Sequence, residues 1–160
     1  MRAFIIIILI LGYLGCSSDV TENTDDVSLP PSSEDTDTDT TTDSVKFVAV
    51  GNSGTILTSS DGTSWTLRTS GTTNRLSEVT YANSTFVAVG HSGTILTSSD
   101  GTSWTSRTSG TSSYLYGVTY ANSTFVAVGT TGTILTSSDG TSWTSKTSGT
   151  TNDLKGVTQN

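Results

Sequence analysis

The sequence predicts an all-β fold made of repeated, four-stranded antiparallel units, and three observations carry that prediction. The first is a fixed period. T-S-S-D-G-T-S-W-T recurs at 58–66, 97–105 and 136–144, so Trp65, Trp104 and Trp143 lie 39 residues apart, as do Phe47, Phe86 and Phe125. Units of this size stack on one another because none can bury its apolar side chains alone. The second is turn chemistry. Asp61-Gly62, Asp100-Gly101 and Asp139-Gly140 each stand between β-rich runs, and Asp-Gly is a hairpin signal because these residues tolerate φ > 0. The third is the pattern of faces. In F-V-A-V, Phe86 and Ala88 share one face while Val87 and Val89 share the other; in T-I-L-T, Ile95 and Leu96 oppose each other in the same way. A sheet with one wet face would alternate apolar with polar, so these strands are expected to be covered on both sides. Small four-stranded sheets stacked around an axis make a β-propeller. A β-solenoid is the alternative, but the repeated turns favour antiparallel pairing.

Taken in order, the chain opens with M-R-A-F-I-I-I-I-L-I-L-G-Y-L-G-C. One Arg, a short apolar run and small residues before a Cys read as an export signal. The run is too short to span a bilayer, which takes about 20 apolar residues. Cys16 is the only cysteine, so no intrachain disulfide can form. Y-L-G-C resembles the bacterial lipobox, although Tyr13 stands where that motif usually has Leu. The resemblance implies that residues 1–15 are a lipoprotein signal peptide and that Cys16 becomes a lipidated first residue. Two or more acyl chains would anchor the protein stably to a membrane.

Residues 17–46 carry nine acids against Lys46 alone, with both prolines and almost nothing apolar. Low hydrophobicity and dense like charge predict a disordered acidic tether over 16–46. Its aspartates lack the Gly turn and terminal Glu of a calcium loop. The remainder, 47–160, carries five acids and five bases. It is therefore neutral and has no electrostatic footprint for nucleic acid.

Within 47–160 the expected strands of one unit are 115–120, 125–128, 133–136 and 143–147. The Asn122-Ser123 turn, the Gly129–Gly132 turn and the Asp139-Gly140 turn separate them. N-S-T at Asn83 and Asn122 matches a glycosylation pattern, but its repeated place between strands reads as a plain turn. Counting from Phe47, the first unit has three strands and the next two have four each. A lone strand is expected at 154–158, of the kind the first unit lacks.

The unit F-V-A-V-G-x-x-G-T-I-L-T-S-S-D-G-T-S-W-T resembles the Asp-box (BNR) repeats of sialidase-like bacterial propellers. The photosystem II stability/assembly factor-like proteins belong to that group. The resemblance covers 47–160. It implies structural turns in which Asp61, Asp100 and Asp139 bond turn amides while Trp65, Trp104 and Trp143 pack between strands. Asp and Trp are one residue closer here than in the family motif.

No catalytic centre is legible. A sialidase needs clustered arginines with a Tyr-Glu pair and an Asp acid, whereas the repeats hold Arg68, Arg75, Arg107 and a single glutamate, Glu78. Arg68 and Arg107 share a repeat position and read as solvent-facing. The repeated aspartates lie at separate turns and cannot act as a facing pair. His91 stands alone, without the converging ligands of a metal site or a nucleophile to activate. The reading is therefore a non-enzyme without cofactor or metal.

The chain is expected to be a lipid-anchored binding or interaction module in the bacterial envelope, at the outer membrane or cell surface. Its protein or glycan ligand would meet loops that differ between copies, at Asn52, His91 and Thr130 and at Arg75, Tyr114 and Asp153. A truncated or vestigial piece of a longer propeller is the alternative; a glycan-processing enzyme ranks last. Propellers have roughly 4–8 blades, so two chains closing a six-blade ring are also expected, each strand 154–158 completing its partner's first blade.

Lipidation is directly testable. Metabolic labelling with a fatty-acid analogue should mark the wild-type chain and not Cys16→Ser; equal labelling of both would contradict the assignment.

Overall fold

The computed structural model describes Ser44, Val45 and residues 47–160, all within the unit Asp39–Asn160. The expected signal peptide, Cys16 and most of the expected tether lie outside the described residues. Three antiparallel sheets follow one another. The first holds β1 (Phe47–Val50), β2 (Ile56–Ser59) and β3 (Thr66–Arg68). The second holds β4 (Leu76–Ala82), β5 (Thr85–Gly90), β6 (Ile95–Ser98) and β7 (Thr105–Arg107). The third holds β8 (Leu115–Ala121), β9 (Thr124–Gly129), β10 (Ile134–Ser137) and β11 (Thr144–Lys146). Each is a meander of sequential neighbours, as the short connections require. The all-β, blade-type fold expected from the period is the fold observed, and the described arc does not close into a ring.

Register repeats with the sequence. Phe86 faces Ser98 and Ala88 faces Leu96, just as Phe125 faces Ser137 and Ala127 faces Leu135. Asn83-Ser84 and Asn122-Ser123 all have φ between 47° and 58°. Positive φ at both central residues is the two-residue hairpin turn that matches strand twist. Both N-S-T sites therefore lie in the turns expected between paired strands. A bulge interrupts the first strand of each complete blade, between Leu76 and Glu78 and between Leu115 and Gly117.

The two-sided strands explain why the sheets stack. Ile56, with Val48 and Val50, packs against Leu76, Ala88 and Leu96 of the second blade. On the other face of that blade, Val87, Val89 and Ile95 pack against Phe125, Ala127 and Leu135 of the third. Burying one such side chain contributes about 1.5–3 kcal/mol, so the core lies between blades rather than within any one. At Gly93 a Cβ would come 1.9 Å from the Thr111 carbonyl oxygen, and φ there is +68°. Gly54 and Gly132 repeat that close approach, which is why the turn holds glycine in all three copies.

Two expectations need correction. The Asp-Gly turns join antiparallel strands as expected, in a loop, 60–65 between β2 and β3, where only the glycine has positive φ, but the last strand of each unit starts one residue later than expected. The tryptophans accordingly precede their strands. No strand forms at 154–158. β4 and β8 are strands because β5 and β9 pair with them, and 154–158 meets no such neighbour among the described residues.

Candidate functional site

Antiparallel connectivity sorts the loops to two opposite ends of each blade. One end carries the Asn-Ser turns and the Asp-Gly loops. In the middle copy, Asp100 Oδ1 accepts hydrogen bonds from Thr102 N (2.7 Å), Ser103 N (2.8 Å) and Ser98 Oγ (2.9 Å). Ser98 Oγ in turn accepts from Gly101 N at 2.8 Å. The same clamp forms around Asp61 and Asp139. Amide donation, chiefly from Ser64, Ser103 and Ser142, holds all three carboxyls well below the usual carboxylate range. Trp104 and Trp143 each donate their indole N–H to the glycine carbonyl of the loop, at 2.9 Å. They also approach Phe86 and Phe125, with centroids 6.3 and 6.5 Å apart. Trp65 is more exposed, at 43%. The three aspartates, Trp104 and Trp143 are thus engaged in their own loops, with one Asp clamp per blade.

The opposite end gathers positions that differ between copies. His91 begins the 3₁₀ turn His91–Gly93, and its ring stacks on Tyr114 of the third blade, centroids 4.2 Å apart and planes 6° from parallel. His91 N donates to the Arg75 carbonyl, and Thr130 N to the Tyr114 carbonyl, both at 2.9 Å. Thr131 N donates to Asp153 Oδ1 at 3.1 Å. Arg75, His91, Tyr114, Thr130 and Asp153 therefore form a continuous line across the second and third blades. Asn52 occupies the same end of the first blade and is exposed, without joining that line. Asp153 is more constrained than a free loop acid, since Lys155 Nζ also donates to its Oδ2 at 2.7 Å. Lys155 first, then the Thr131 amide, lowers the Asp153 pKa.

Beside this end, a polar groove of about 460 Å³ is lined by Asn74, Thr94, Leu96, Arg107, Ser109 and Thr111, among others. Arg107 and Arg68, read as solvent-facing, are half-buried, and each has a cross-strand partner: Arg107 Nε donates to Thr97 Oγ1 at 2.8 Å and Arg68 Nε to Thr58 Oγ1 at 2.9 Å. Sequence reasoning also missed Glu78, whose Oε2 accepts from Val118 N of the next blade at 2.8 Å. The only sequence signal for it was its place in the repeat, where Gly117 and Gly156 stand.

No protein-family model matches the sequence, and none of the curated proteins does. Among solved structures, one described as "YCF48 bound to D1 peptide" is similar, at 21% sequence identity and a TM-score of 0.53. The likeness covers 61% of this chain and 34% of that one, so the chain matches about a third of the neighbour's length. At this identity the comparison shows the fold, a propeller-type array of blades.

The Asp clamp has a signed pH dependence. A carboxyl whose folded pKa lies below its unfolded value, about 3.9, stabilises the fold above that value, and the contribution is lost as pH falls through the folded pKa. Asp100→Asn should therefore melt a few degrees below wild type at pH 7, with the gap closing as pH drops below about 4. A gap that stays constant down to pH 2 would contradict this role.

Proposed function

We propose that this chain is a non-catalytic binding module, held at the bacterial envelope by a lipid on Cys16 and raised on its acidic tether. Its ligand face is the end bearing Arg75, His91, Tyr114, Thr130 and Asp153. The carrying observation is the His91–Tyr114 stack: two rings from adjacent blades, parallel at 4.2 Å, with Tyr114 still 44% exposed. A partly exposed aromatic with Arg75 close by is the composition that anchors interfaces. The polar groove beside it supplies hydroxyl and amide partners.

A peptide segment is the ligand class this face suits best. The similar solved structure is described as bound to a peptide, and aromatic and polar loop ends on a rigid scaffold are a recurrent recognition device. A glycan is the other ligand class. The second reading, a piece of a longer propeller, draws on the open arc, which has three blades at most among the described residues. Repeat-coding sequence directly downstream in the genome would favour it.

Panning a random peptide display library on the detergent-solubilised chain tests the ligand face. Enriched peptides should bind Tyr114→Ala about tenfold more weakly than wild type, the effect of losing about 1.4 kcal/mol. No enrichment, or equal binding by the variant, would contradict the assignment.

A further inference from the structure

The first blade is incomplete in a specific way. In the second and third blades, β5 and β9 each pair on one side with the blade's first strand, β4 or β8. β1 is their equivalent, and among the described residues nothing pairs with that side of it. The consequences show at three places. Phe86 and Phe125 sit against Tyr81 and Tyr120, with centroids 4.4 and 4.5 Å apart; Phe47 has no such tyrosine and is 48% exposed. A Cβ at Gly90 or Gly129 would come 2.1 Å from the carbonyl of Arg75 or Tyr114, but at Gly51 it would meet no carbonyl. His91 N and Thr130 N donate to those same two carbonyls; Asn52 N, their equivalent, has no such acceptor among the described residues.

At the far end of the array the complementary piece is already held in place. Leu154 N donates to the Gly129 carbonyl at 3.0 Å, as Leu76 N does to the Gly51 carbonyl at 2.9 Å. The Gly156 Cα lies 3.2 Å from where a Gly117 Cβ would stand, beside β8. Residues from 154 onward thus lead off the third blade as β4 leads off the first. Leu154 and Val157 are half-buried, whereas their equivalents Leu115 and Val118 are 0% and 3% exposed.

The open faces match in the same way. Inside the array, Val87, Val89 and Ile95 of one blade meet Phe125, Ala127 and Leu135 of the next. The third blade presents Val126, Val128 and Ile134 outward, the first and last only half-buried. The first blade presents Phe47, Ala49 and Leu57 outward, none of them buried. Position by position, these two faces are the halves of the interior contact.

We propose that a second copy of this chain completes the first blade, residues 154–160 of one copy adding as a strand to β1 of the other. The β8–β9 register, carried forward one repeat and back two, specifies the pairing. Leu154 faces Gly51, a bulge falls at Lys155, Gly156 faces Val50, Val157 faces Ala49, Thr158 faces Val48, and Gln159 faces Phe47. The Asp153 carbonyl then meets Gly51 and Asn52 N. The competing occupant within the chain is 37–43, D-T-D-T-T-T-D; it places Asp where β4 has Leu76 and offers nothing apolar, while 154–158 reproduces both Leu and Val at the required spacing. Two copies of the three described blades give six, inside the range of roughly 4–8, so the proposed ring holds two chains, each donating residues 154–160 to the other.

Cysteine pairing tests the register in the full 160-residue chain. Opposed antiparallel residues have Cα atoms about 4.5–5.5 Å apart, within disulfide reach of about 4.4–6.8 Å. Under mild oxidation Ala49→Cys/Val157→Cys should run as a covalent dimer on a non-reducing gel. Val48→Cys/Val157→Cys, one step off and on opposite faces, should stay monomeric. A monomer from the in-register pair, a ladder beyond dimer, or a dimer equally abundant in the single variants would overturn the proposal. Light scattering on the unmodified chain in detergent reads the same question independently of the variants: two chains per particle are expected, and one chain per particle overturns it.

Discussion

The array depends on one joint. Where the chain leaves a blade and enters the next, a leucine amide hydrogen-bonds to a glycine carbonyl of the blade just left: Leu76 to Gly51, and Leu154 to Gly129. That bond sets the strand that follows beside the preceding sheet, so that each blade begins against the one before it. Its consequence is that no sheet is complete by itself. β4 pairs with β5 in its own blade, yet its Leu76 is buried in a core shared with Ile56 of the first. Glu78 reinforces the following interface by taking the Val118 amide. Hydrophobic burial supplies most of the stabilisation, and the joint decides which faces are brought together.

The two ends of the blades divide the work. At one end the Ser-Asp clamp is identical in all three copies, since it satisfies loop amides that would otherwise lack partners. A residue there is fixed by the geometry of its own loop and has little freedom to vary. At the other end each turn glycine packs against a repeated Ser-Gly-Thr turn, whose Ser70, Ser109 or Ser148 hydroxyl donates to the Thr72, Thr111 or Thr150 carbonyl, and the positions beside these are released from that demand. Asn52, His91 and Thr130 occupy one such position, and their neighbours Arg75, Tyr114 and Asp153 differ just as freely. A scaffold that holds one end constant can vary the other without losing its fold.

Much of this was legible in the sequence because the signals were periodic. The 39-residue spacing, the two-sided F-V-A-V and T-I-L-T runs and the Asn-Ser turns each reappear in the structure where the sequence placed them. The conserved spacing of Ser, Asp and Trp also placed the clamp. What escaped was non-periodic or relational. Asp153 read only as a variable loop position, because nothing in sequence brings Thr131 to it across 22 residues. Arg68 and Arg107 read as solvent-facing because a cross-strand hydroxyl partner leaves no local trace. The strand expected at 154–158 had the right side chains, but a strand exists only when a neighbour pairs with it, and pattern alone does not supply one. The line from Arg75 to Asp153 was visible as a set of variable positions, and its contiguity came only with the fold.

Amide hydrogen exchange resolved by residue tests the joint most directly. If the leucine-to-glycine bond defines each entry into a blade, the Leu76 and Leu154 amides should both be strongly protected, with Gln159 and Asn160 exchanging faster than Leu154. Protection at Leu76 with a Leu154 amide that exchanges as fast as Asn160 would contradict the account.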